Sequence, residues 1–409
     1  MGEVLVVGGG LAGLAAAFEA SRRGHFVTIL ESSEKIGGRG TSEELKGYPT
    51  NAGPHLLNYR GPLHVLITKC SKVALRGQRL RASQYHHRNG GKWRPLAISS
   101  KAIQNSKLPA QQKLELLKLR RVMKIAAKKT PKQSFAEWVD DQYPHLKEEL
   151  SAWAELSTWL SLSDGSDLYF HSQQSQHSLW KRGSFRLEFG WAEIVGRILS
   201  ALDRLGVEMH SSAKVTELIC NDNGRVKKVR LENGKRIAAD HVILALPRKN
   251  CEKILATMEF DQPLTATTKL EATLLELLLE GRFLCDGLMF DHGNGVTLLN
   301  QYRDDAENFH SIVSAFAKGK ESPSKRLERI ESTLDQTASG WRDAIKMRRK
   351  TNSITIASSV PSDKRPEVDQ LSKHGILLAG DWLNSPYWLA DAATDTGIRA
   401  GAMLQERPS

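Results

Sequence analysis

The sequence predicts an α/β chain in which a parallel-sheet domain, discontinuous along the polypeptide, is interrupted by an inserted α+β unit. Three observations predict it. Residues 1–40 carry a strand–glycine turn–helix–strand pattern, and residues 375–404 carry a strand running into a Gly-Asp turn and a helix of small residues. Between them, hairpin and helix patterns follow one another with no low-complexity linker or internal repeat.

Glu3 to Val7 is a short apolar run of the kind a buried parallel strand needs. In the GGGLAGL that follows, Gly8, Gly10 and Gly13 fill the G-x-G-x-x-G template, with Leu11 and Ala12 between them. The first glycine permits the tight turn, the second lets backbone approach a pyrophosphate, and the third lets the helix pack on the strand. Leu14 to Arg23 reads as an alanine-rich helix stopped by Gly24. Phe26 to Leu30 is the second strand, and it delivers Glu31, a carboxylate placed to accept from an adenosine ribose. Strand, glycines, helix, strand and acid together favour a dinucleotide site over a merely structural βαβ turn.

Ile36-Gly37-Gly38-Arg39-Gly40 comes next. Far away, Ala379-Gly380-Asp381 precedes Asp391-Ala392-Ala393 and Thr396-Gly397 in a helix expected from Asp391 to Leu404. On these two segments the chain resembles the flavin-containing amine oxidase superfamily, which includes phytoene desaturases, protoporphyrinogen oxidase, hydroxysqualene dehydroxylase and the amine oxidases. The resemblance implies a Rossmann-like FAD-binding domain and FAD as cofactor. It puts Gly38 and Arg39 near the pyrophosphate, where a guanidinium suits a diphosphate. It puts the backbone of Val215 against the adenine, and Gly380 and Asp381 at the ribityl or phosphate region. Asp391 and Ala392 then open the helix whose positive end faces the flavin pyrimidine. Asn51-Ala52-Gly53-Pro54-His55 resembles the segment the family places beside the flavin ring, with Asn51 where an acid is usual. His55 is a candidate for that wall, or a histidine bonded within its loop. Trp382, Tyr387 and Trp388 are the other wall candidates, with loop packing as the alternative.

The expected domains are 1–75, 190–255 and 368–409 for FAD, and 76–189 with 256–367 for substrate. Pro62 to Val73 reads as a helix, and Leu80 to Ile98 as two short strands around an Asn89-Gly90 turn. Net charge is +12, and the window Lys101–Lys132 alone holds ten basic residues against Glu115, or +9. Its middle is helical by pattern, with Leu116, Leu119, Val122, Met123, Ala126 and Ala127 on one side and Lys113, Arg120, Arg121, Lys124 and Lys128 on the other. Leu114, Leu117 and Ile125 fall toward the basic side. Either the lysines are simply solvated, or the helix rests on an anionic membrane surface. Nucleic acid is disfavoured, because no recognition motif accompanies the charge. Ser134 with Glu137 forms a capping box for further helix to about Leu162, so 101–165 is the helical part, membrane-facing on the second of those two readings. Trp153, Trp159, Tyr169, Phe170 and Trp180 are read mainly as core, with a substrate tunnel as the alternative.

Strands are expected at 207–210, 215–218, 226–231 and 241–247, and in the substrate unit at 283–290, 296–302 and 311–316, with a helix at 324–334. No run of about 20 apolar residues exists, so no spanning helix is expected. The four cysteines, Cys70, Cys220, Cys251 and Cys285, show no CxxC pair. That spacing argues against a metal site or disulfide framework and fits a reducing cytoplasm.

The implied reaction is hydride removal to flavin, with oxygen or a membrane quinone as acceptor. A membrane-surface enzyme acting on an isoprenoid, carotenoid-like or tetrapyrrole substrate is the first reading. A soluble amine oxidase is the second, although it calls for a lysine near the flavin that the sequence does not assign. A non-catalytic FAD-binding protein is the third.

Overall fold

The computed structural model describes residues 2–45, 47–51, 53–128, 133–164, 166–180, 183–258, 264, 268–304, 309–361 and 364–404. Ala52, Lys129, Lys132 and Gly165 of the segments above lie outside them. A five-stranded parallel sheet organises both chain ends. Its order is Glu208–His210, Phe26–Leu30, Glu3–Val7, His241–Leu244 and Ile376–Leu378. Val6 sits in register between Ile29 and Ile243. The inner strands Glu3–Val7 and His241–Leu244 are covered on both faces, which is why they read as nearly unbroken apolar runs.

The first helix, Leu11–Arg22, packs against the last, Leu389–Ala402, through small residues. A Cβ on Gly397 would lie 2.2 Å from the Ala12 carbonyl oxygen, and one on Gly401 would lie 2.6 Å from that of Ala16. The alanines and glycines of both helices therefore serve close approach of backbone to backbone. The hydrophobic core beneath draws on residues 4–70, 185–264 and 368–404.

A seven-stranded sheet forms the second unit, in the order Ile345–Ala357, Leu270–Glu280, Phe309–Lys318, Val296–Asp304, Gly287–Asp291, Tyr85–Arg88 and Arg94–Pro95. Leu275, Leu277 and Leu279 pack one face onto the Pro323–Thr337 helix, while Ala272 and Leu274 join the other face to the helical layer around Trp153, Trp138 and Leu116. The expectation missed the two long strands Leu270–Glu280 and Ile345–Ala357. The first is nearly buried throughout, so its leucines never alternate with polar residues, and periodicity cannot separate such a run from helix. The second is an edge strand whose charged residues hide its pattern. The helix of the basic window spans Ala110–Ala126, with Leu116, Leu119 and Met123 buried, whereas Val122, expected on the same side, is exposed because it falls at the edge of that face. Trp153 and Trp159 are core, as read. All four cysteines are free, and no described helix is long and apolar enough to cross a membrane.

Candidate functional site

The glycine turn is built by local necessity. Gly8 holds φ +105°, a left-handed value that disfavours side chains, and a Cβ on Gly13 would stand 1.9 Å from the Gly8 carbonyl oxygen. Gly10 differs: a Cβ there would meet nothing within 4 Å, so open space lies over the start of the first helix. No side chain caps that helix, and its first turn carries no acid. Its N-terminal N–H groups thus face a cradle suited to an anion.

Glu31 is buried beside it. Its carboxylate accepts from Gly9 N–H at 2.7 Å and Ser33 N–H at 2.8 Å. Its carbonyl accepts from Ala213 N–H at 2.7 Å, and Ser33 O accepts from Ser212 N–H at 2.9 Å. These bonds bring the strand that starts at Val215 alongside the acid; Val215 is buried and paired with Leu231. Gly37 N–H donates to Gly9 O at 2.8 Å, which docks the Gly37–Gly40 turn on the glycine loop.

That turn carries Arg39, whose Nη2 donates to Asp381 Oδ1 at 2.7 Å across 342 residues of sequence. Asp381 is buried, while the Arg39 side chain is 48% exposed, its outer edge free to meet another anion. Burial pushes the Asp381 carboxyl up, but the Arg39 charge and the hydrogen bonds from Arg39 and from Ser358 N–H (3.0 Å) outweigh it and hold it below its ordinary range. The Arg39 guanidinium is raised in turn, chiefly by Asp381. Gly380 N–H donates to Thr396 Oγ1 at 3.0 Å, fixing the turn to the last helix.

Other predicted residues have different partners. Asp391 accepts from Leu63 N–H and Asn58 Nδ2, each at 3.0 Å, so its carboxylate caps the Pro62–Cys70 helix; Ala392 beside it is fully buried. Trp382 is buried with Nε1 donating to Leu246 O at 3.0 Å. Trp388 donates to Thr158 O at 2.7 Å and meets Phe170 edge-on at 5.2 Å, joining the last helix to the helical layer. Tyr387 stacks on His177 at 5.6 Å. His55 is buried with Nε2 3.9 Å from Glu276 Oε1, and Arg349 holds that carboxylate at 3.3 Å.

Three residues escaped sequence reasoning. Glu276 is a buried acid in an apolar strand, and an acid inside such a run was the available signal. Arg365 lies 5.2 Å over the Trp388 ring, its buried Nε has no partner, and burial pushes it down to about 10 against the pull of Asp381. Lys269, exposed, precedes the strand whose Leu270 pairs with Ala357, next to the Ser358 that binds Asp381. Nothing local in sequence marks either cation.

The family model for flavin containing amine oxidoreductases matches residues 11–275. The chain belongs to that family. FAD is its cofactor, and the donor set fits it: an open cradle over Gly10, uncapped helix N–H groups, a buried Glu31 and a half-exposed guanidinium. Among curated relatives, it is 47% identical over 60 residues to an L-amino-acid oxidase of Notechis scutatus scutatus, covering 14% of this chain and 12% of that protein. It is 46% identical over 52 residues to the L-amino-acid oxidase apoxin-1 of Crotalus atrox, covering 13% and 10%. The match thus spans about a tenth of those relatives' length. Solved structures agree over nearly the whole chain: an oxidoreductase from Methanosarcina mazei (TM-score 0.73, 16% identity, 97% and 99% covered) and cyclohexylamine oxidase from Brevibacterium oxydans (0.68, 15%, 98% and 97%). At that identity they establish the fold alone.

Proposed function

We propose that this flavoprotein oxidoreductase takes hydride from a C–H bond of an apolar substrate that it draws from an anionic membrane surface. The carrying observation is the Ala110–Ala126 helix. Its outer side leaves Leu114, Leu117, Val122 and Ile125 exposed among exposed Lys118, Arg121, Lys124 and Lys128. Large apolar side chains interleaved with cations suit a lipid headgroup layer better than water. A cavity of about 310 Å³ opens beside this helix, lined by Arg120, Arg79 and Arg81 together with Trp180, Leu179 and Tyr85. That places a part-apolar recess beside the surface from which substrate would come.

For the cofactor we propose 1–75, 190–255 and 368–409 as the binding unit. Gly8, Gly10, Leu11, Ala12 and Gly13 would cradle the pyrophosphate with Gly38 and Arg39, and Glu31 would take the ribose hydroxyls. The Val215 backbone would meet the adenine, and Gly380 and Asp381 the ribityl chain. Asp391 and Ala392 would set the last helix at the flavin, Asp391 acting through the Pro62–Cys70 helix that it caps. When bound, FAD supplies the hydride acceptor. The protein's part is to orient the substrate and exclude water, with Trp388 as the proposed wall.

Four exposed cations at about 1 kcal/mol each give roughly a thousandfold partition onto an anionic bilayer. The protein should therefore sediment with phosphatidylserine-containing vesicles at low salt and stay in solution at high salt. Lys118→Glu with Arg121→Glu and Lys124→Glu should abolish sedimentation at unchanged flavin content. No sedimentation of the native protein at low salt would sink the membrane reading.

One observation favours the second reading, a soluble amine oxidase: Lys269 stands at the sheet end that reaches Asp381. On that reading Lys269→Met should slow anaerobic flavin bleaching by a primary amine about 100-fold at unchanged flavin content. If no primary amine bleaches the flavin of the native protein, that reading falls.

A further inference from the structure

The structure assigns to His87, His292 and Glu148 a binding site for a divalent transition metal of the zinc class. The residues come from three elements of the inserted unit. His87 lies on the Tyr85–Arg88 strand, and His292 follows the Gly287–Asp291 strand, which pairs with it in parallel, Asp291 opposite Arg88. Glu148 sits in the first turn of the Lys147–Thr158 helix that covers them. One ligand atom from each lies within 4.8 Å of the others.

Two of the three separations are close to the edges of a coordination polyhedron, and the third lies within 4.8 Å. Metal–nitrogen and metal–oxygen bonds of zinc-class ions make tetrahedral edges of roughly 3.3–3.5 Å. His87 Nδ1 is 3.3 Å from His292 Nε2 and 3.6 Å from Glu148 Oε1. The surroundings also select the ring atom. His87 Nε2 lies 3.1 Å from Glu149 Oε1, and Glu149 is itself held by Ala97 N–H at 3.3 Å. A buried carboxylate there accepts a hydrogen bond from His87 Nε2–H and so leaves the Nδ1 lone pair facing the other two groups, the arrangement that metal-binding histidines share. His87 is 2% exposed on its side chain, so its ring is fixed, and Glu148 at 37% leaves a side open for a water as fourth ligand. Phe290 supports the His292 ring edge-on at 4.6 Å. Arg94 donates to the same Glu148 oxygen, and at 50% exposure it can swing away to admit an ion. Cysteine spacing pointed away from a metal site; this one uses histidines 205 residues apart, which only the fold brings together. A bound ion would staple the sheet to the helical layer.

Cobalt(II) added to the purified flavoprotein after chelator treatment tests this, because a tetrahedral site absorbs to the red of the flavin. One equivalent should give intense bands that zinc displaces, and saturation should raise Tm by about 5–10 °C at 100-fold excess over Kd. His292→Ala should weaken binding at least 100-fold, Glu149→Gln about 10–100-fold, and Arg94→Ala should tighten it by removing the competing cation. If the native protein shows no such bands, or His292→Ala binds as the native protein does, the three side chains are only a hydrogen-bonded cluster and the assignment is wrong.

Discussion

A Gly397→Ala chain is expected to purify without flavin and to unfold well below the native protein. The added methyl would meet the Ala12 carbonyl oxygen at 2.2 Å, and backbone cannot give way as a side chain can. The first and last helices must then separate. Overpacking of this kind costs about 3 kcal/mol, a fall in Tm of roughly 5–10 °C for a domain of this size. The loss of flavin should be disproportionate, because the displaced helices are those whose starts carry the Gly10 cradle and Ala392. Gly196→Ala is the control. Gly196 lies in the Gly190–Arg204 helix, and a methyl there meets nothing within 4 Å. It should keep its flavin and gain about 0.5–1 kcal/mol, since alanine restricts the unfolded chain more than glycine does. Calorimetry and the flavin-to-protein absorbance ratio separate the two. Equal behaviour of both variants would show that the contact between the chain ends is not what holds the cofactor.

The same contact explains what could be read from sequence. Gly8 to Glu31 was legible because each residue answers to a local constraint, a turn, a close approach or a strand end, and such constraints leave fixed spacings. Asp381 was legible only by resemblance; its pairing with Arg39 depends on the parallel sheet bringing 39 and 381 together. Arg365 and Lys269 were not legible, since a lone cation in a loop has no local signature and its role follows from which strand end it reaches. Asp391 matched a motif position, yet its carboxylate caps the Pro62–Cys70 helix, a bond made across 328 residues. The same limit hid the long strands: burial of Leu270–Glu280 on both faces erased the alternation that reveals a half-exposed strand.

Arg39→Ala should both empty the flavin site and reverse the pH dependence that Asp381 gives to stability. In the native protein the Asp381 carboxyl is held below its ordinary value of 3.8, so its contribution is present above that value and fades as pH falls through the folded one. Without Arg39, burial, the largest single influence on this carboxyl, is opposed by the Ser358 hydrogen bonds and the Arg365 charge alone, so the carboxyl is expected to rise and its charge to become costly at neutral pH. The penalty of the substitution should therefore be largest near pH 7 and shrink on acidification, as Asp381 takes up a proton. Removing one partner of a fully buried pair costs about 3–5 kcal/mol. With Arg39 half in solvent, roughly 1–3 kcal/mol is expected here. Arg39→Ala combined with Asp381→Asn should recover much of that stability at pH 7, because no buried charge is left unpaired, but not the flavin. Thermal melts of the native protein and the two variants from about pH 4.5 to about 8, a range that starts above the ordinary aspartate value, with bound flavin measured at each point, decide the matter. A penalty that stays flat across the range would mean that Arg39 supports this site by packing and not by its charge.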